Sequence, residues 1–67
     1  MQTYPTEALQ LALINHQSGM DRDDAIAAAL EQCVEEGLIL FYDDYMMLQV
    51  RNAMWRTYQS IQTAGMA

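Results

Sequence analysis

The sequence predicts an all-α fold: a three-helix unit with a long C-terminal helix, assembled into a dimeric helical bundle. Apolar residues recur at helical spacing in three stretches, and capping residues and glycines punctuate those stretches. The composition is also richer in apolar residues than one short helical chain can hide. Of the 67 residues, 52% are hydrophobic and 18% charged, whereas a domain of this size buries only about 60% of the surface its unfolded chain exposes. Cys33 is the single cysteine, which rules out a disulfide within the chain, and the spaced Cys and His sets of structural zinc are missing. Association is the remaining supplement to a small core, so a homodimer or a partner protein is expected.

One domain covers residues 1–67, with helices expected at about 5–17, 22–36 and 44–62. Pro5 presets φ for a first turn, Thr6 is placed to cap, Glu7 suits the positive end of the helix dipole, and Gly19 stops the helix after Gln17. Leu9, Ala12, Leu13 and His16 share one face of this helix, while Leu11 and Ile14 point elsewhere. Asp21 is placed to cap the second helix, Asp23 and Asp24 occupy its first turn, and Gly37 supplies a left-handed stop after Glu35 and Glu36. Its wheel gathers Ile26, Ala27, Leu30, Cys33 and Val34 on one side and Glu31, Gln32, Glu35 and Glu36 on the other.

Residues 38–42, Leu-Ile-Leu-Phe-Tyr, read as strand, connector or the opening of the next helix. A lone strand would have no pairing partner, which favours connector or helix, with Asp43 or Asp44 as the cap. The third helix should span the whole molecule, with the first two packed along it and Gly65 closing it before a frayed end. Its seam is Met47, Val50, Met54, Tyr58 and Ile61, a spacing of heptad type that serves as core or dimer contact together with Leu9 and Leu13. Leu48 and Trp55, one heptad apart with Arg51 between them, form a second ridge.

Charge separates the two ends of the chain. All nine carboxylates lie within the first 44 residues against Arg22 alone, a formal −8, and Arg51 and Arg56 give the remainder +2 with no lysine anywhere. Such a chain avoids nucleic acid and attracts basic protein surfaces. Gln49, Arg51, Asn52 and Arg56 on a third helix imitate a DNA-reading helix, but two arginines neutralise few phosphates while the carboxylates repel the backbone. No stretch reaches the roughly 18 uninterrupted apolar residues of a membrane span, and residues 1–7 show neither a basic nor an apolar leader region, so no membrane contact and a cytoplasmic location are expected.

No catalytic, cofactor-binding or metal site is expected. His16 and Cys33, on core faces of adjacent helices, resemble a base and nucleophile without an orienting group or pocket. Asp21-Arg22-Asp23-Asp24 starts like a calcium loop, yet Ala25 and Ile26 replace an oxygen ligand and the turn glycine, and Gln32 replaces the closing glutamate. The expected function is therefore binding: a small acidic regulator or inhibitor that occludes a basic surface of a larger protein. Glu31, Glu35, Glu36, Asp43 and Asp44 would set charge complementarity, and Leu48, Arg51 and Trp55 would form the anchor. In size and charge, without a shared motif, the chain is similar to inhibitors encoded by phages and mobile elements, anti-CRISPR proteins among them, and to antitoxins. The alternative is a chaperone-like or structural subunit that shields an apolar helix of a cognate partner; a DNA-binding transcriptional regulator is the third reading.

Overall fold

A computed structural model describes residues 4–66, with side chains through residue 61. The described chain is helical, with no strand, in the order α1 (Thr6–Gln17), α2 (Arg22–Glu35) and α3 (Asp44–Met66). None of the helices is long and apolar enough to cross a membrane. The radius of gyration is 12.1 Å and the principal extents are 41 × 29 × 18 Å, against a radius of about 11 Å for a compact chain of this length. The elongation comes from α3, whose 23 residues rise about 34 Å.

Glycine ends the first two helices in the same way. Gly37 adopts φ +79°, the left-handed region where a Cβ is strained. This lets the Leu38 N–H donate to the Cys33 carbonyl at 2.9 Å and the Gly37 N–H donate to the Val34 carbonyl at 3.1 Å, a Schellman arrangement that satisfies two helix-end acceptors. At the end of α1 the Met20 N–H donates to the Asn15 carbonyl at 3.2 Å and the Gly19 N–H to the His16 carbonyl at 3.1 Å.

The helix starts depart from expectation. Pro5, not Thr6, occupies the N-cap of α1, and Asp21 occupies that of α2 without its carboxylate bonding the first turn. The working cap is Asp43, whose Oδ1 accepts from the Met46 N–H at 2.9 Å. Gly65 does not close α3, which continues to Met66. An interior glycine costs only about 1 kcal/mol relative to alanine and need not end a helix that stops within a residue or two of it. The chain end expected to fray beyond Gly65 is helical as far as Met66.

Helices α1 and α2 form the tightest pair, rather than each lying chiefly along α3. Ala8 and Ala12 of α1 and Ala25 and Ala29 of α2 have no exposed surface, and side chains this small let two helices approach closely. Asn15 Nδ2 donates to the Ala25 carbonyl at 3.3 Å, fixing the end of α1 to the start of α2. The hairpin closes over α3 through a core of Ile26, Leu30, Cys33, Val50 and Met54. Leu9, Leu13, Met47 and Tyr58 are half-buried against that core. Ile61, the last position of the expected seam, stands 61% exposed. It lines an open groove with Tyr4 and Leu9 of the α1 side.

Candidate functional site

Residues 38–42 are a connector. Within it the side chains divide: Ile39 and Tyr42 pack against the core, while Leu38, Leu40 and Phe41 stand 45%, 93% and 68% exposed. The Tyr42 hydroxyl donates to Glu31 Oε1 at 3.2 Å, which ties the connector to the outer side of α2. Burial of the ring, the negative charge of Glu31 and this hydrogen bond raise the Tyr42 pKa above its usual value, because each disfavours a phenolate at that spot. Gly37 and Asp43 anchor the two ends by backbone geometry and by the cap described above. An apolar tip is thus held out from the core by two inward-facing residues and two fixed ends.

The expected acidic residues frame this tip. Glu31, Glu35 and Glu36 line one shallow groove on α2 with Ala28 and Gln32, and Gln32 Nε2 donates to Glu36 Oε2 at 2.9 Å. Glu35 and Glu36 immediately precede Gly37, and Asp43 and Asp44 immediately follow Tyr42; all four are exposed. Among the described residues the only ion pair joins Arg22 Nε and Asp23 Oδ1 at 3.8 Å. The carboxylates around the connector therefore carry their charge without an internal cation.

Leu48, Arg51 and Trp55 lie elsewhere. They line an open groove of about 560 Å³ with His16, Arg22, Asn52, Met54 and Tyr58, between α3 and the turn that joins α1 to α2. Leu48 is 46% and Trp55 60% exposed. Of the expected partner-contacting residues, only Asp44 shares a groove with this ridge, a smaller one that also holds Asp23, Leu48 and Arg51. The structure thus divides the predicted set in two: an acidic group around the connector and an aromatic and arginine group on α3. Periodicity assigns residues to faces of single helices, so it could not show that the α2 glutamates and the α3 ridge line different grooves.

The connector tip is the feature that sequence reasoning missed. A run of five apolar residues reads as buried, yet only Ile39 and Tyr42, three residues apart, reach the core from this connector. The signal that was available is positional: the run is bracketed by Glu35-Glu36-Gly37 and Asp43-Asp44, and acids on both sides keep a short segment at the surface.

His16 and Cys33 are separated by the antiparallel course of the α1–α2 hairpin. The His16 ring nitrogen Nδ1 lies 2.9 Å from the Met20 carbonyl, so it carries the proton and donates, and the ring is tilted 57° against Tyr58 at 6.2 Å between centroids. Cys33 is fully buried. Burial raises its thiol pKa, and the charges of Glu36 and of Glu7, from the opposite end of α1 to His16, raise it further. A thiol held protonated in this way is a poor nucleophile. Among the described residues no cluster of three or more His, Cys, Asp or Glu side chains is placed to hold a metal ion.

No family model, curated protein or solved structure matches this chain.

Proposed function

We propose that this protein is a small acidic regulator or inhibitor that covers a basic surface of a larger protein, with the α2–α3 connector at the centre of the contact. The observation that carries the reading is the outward placement of Leu38, Leu40 and Phe41 between Glu35-Glu36 and Asp43-Asp44. Full burial of a leucine or phenylalanine is favourable by roughly 1.5–3 kcal/mol. A partner that covers this tip gains that free energy, and the acidic rim steers the encounter toward a cationic patch. The net charge of −6 supports a basic partner over nucleic acid. Arg51 and Arg56 line different grooves of α3 and do not make one cationic stripe for a phosphate backbone.

Affinity capture from a lysate of the source cells tests the proposal with three forms of the chain. The natural protein should retain a partner rich in lysine and arginine, and raising salt from low to moderate ionic strength should release it. Glu35→Lys/Glu36→Lys should weaken retention mainly through slower association, and Leu40→Ser/Phe41→Ser should cost at least about 2 kcal/mol, as loss of a central anchor does. Both variants change exposed residues and should remain helical. Retention of the same partner by all three forms refutes the proposal.

The groove of about 560 Å³ beside Trp55 supports a second reading, a chaperone-like subunit that shields an apolar helix. Binding of that kind would be nearly indifferent to salt and to the connector variants.

A further inference from the structure

We propose that the outer face of α3 is a self-association surface on which two copies of this chain meet antiparallel, α3 against α3. Tyr45, Leu48, Asn52 and Trp55 follow steps of three, four and three, which places them on one stripe of the helix. By helical spacing that stripe faces away from the buried Val50 and Met54. Tyr45, Leu48 and Trp55 are 59%, 46% and 60% exposed. Heptad spacing directed away from the chain's own core is the pattern that a second helix covers.

Charge sets the orientation. Asp44 and Arg51 are one heptad apart and therefore occupy the same edge of the stripe, with opposite signs; both are exposed. In an antiparallel pair each edge meets the same edge of the other helix, so Asp44 of each copy faces Arg51 of the other, and two-fold symmetry makes the contact twice. In a parallel pair each edge meets the opposite edge, and these two residues do not meet. With Leu48 on the two-fold axis, Tyr45 comes level with Arg51 of the second copy, and Asp44 lies one residue, about 1.5 Å, along the axis from it. Moving the axis to Arg51 would set the two Arg51 side chains against each other.

The Arg51 edge is also where Arg22 and His16 line the large groove. The arriving Asp44 thus enters a region holding two of the three arginines of an otherwise acidic chain. A standard interface buries about 800 Å² on each partner, roughly one-sixth of the 4732 Å² surface of this chain. That surface itself exceeds the roughly 4300 Å² expected for a monomer of this mass. With Leu48 on the axis, Trp55 of each copy comes level with residue 41 of the other, just before its α3 begins at Asp44, so the pairing also reaches the exposed Phe41 of the connector.

Sedimentation equilibrium of the full chain, from micromolar to hundreds of micromolar, tests the pairing with the natural protein, Arg51→Asp, and Asp44→Arg/Arg51→Asp. The natural protein should approach twice its 7.6 kDa mass. Arg51→Asp should weaken the dimer at least about tenfold, and the double exchange should restore it to within about threefold, with circular dichroism unchanged. A mass of 7.6 kDa throughout overturns the proposal, as does a dimer indifferent to Arg51→Asp or one that the double exchange does not restore. As a second readout, Leu48→Cys under mild oxidation should trap a covalent dimer, since that position meets itself at the axis; failure to cross-link at concentrations where the natural chain is dimeric also overturns it.

Discussion

At the residue scale, Tyr58 and Cys33 show how burial acts on single polar groups. The Tyr58 hydroxyl is buried without a hydrogen-bond partner, and an unpaired buried hydroxyl costs about 1–3 kcal/mol. Tyr58→Phe removes that cost and keeps the ring beside His16, so chemical denaturation should find the variant as stable as the natural chain or more stable by up to about 1 kcal/mol. Cys33 predicts the alkaline behaviour. Its folded pKa lies above the unfolded value, so the stabilising effect of the protonated thiol is complete below the ordinary thiol pKa of about 8.5. It is lost as pH rises through the folded value. Tyr42 acts with the same sign from about pH 10 upward. The melting temperature should therefore fall as pH climbs above about 8.5, and Cys33→Ala should flatten the first part of that decline. At neutral pH, Cys33 should alkylate only when the chain is unfolded. The sequence placed Cys33 and His16 on core faces of adjacent helices. Their separation depends on the direction of the hairpin, which neither side chain encodes.

At the scale of elements, the helices were legible because their signals are local. Pro5, Asp21, Gly37 and the first turns rich in acid mark boundaries within a residue of those observed for α1 and α2, and the wheel of α2 placed Ile26, Leu30 and Cys33 in the core. Cap chemistry was harder to read, since a residue type that can cap must also find its rotamer. Asp43 does so at Met46, and Asp21 does not. Asp43→Ala should therefore cost about 1 kcal/mol, whereas Asp21→Ala should cost only the smaller dipole term of about 0.3–1 kcal/mol. Equilibrium unfolding of the two variants in low salt compares them. The α1–α2 contact was the least visible element pairing. Ala8, Ala12, Ala25 and Ala29 carry little hydrophobic signal individually, yet their small size is what brings the two helices together.

At the scale of the whole molecule, the balance of apolar residues against available core was the most informative property of the sequence. Its consequence is spatial: the core takes Ile26, Leu30, Val50 and Met54, and much of the surplus stands outside on two surfaces, with Ile14 and Ile61 exposed apart from them. One is the connector with its acidic rim; the other is the outer face of α3 with Trp55 and Arg51. A wheel of α3 alone revealed the second, although it could not separate that ridge from the acids of α2. The first was invisible to periodicity because residues 38–42 are not helical.

Hydrogen exchange of the natural chain, compared before and after binding its captured partner, decides whether the connector makes the contact. New protection is expected over residues 35–44, centred on the backbone of Leu40 and Phe41, with little change on the exposed side of α1. Protection confined to residues 48–58, or none within the connector, would contradict the proposed contact.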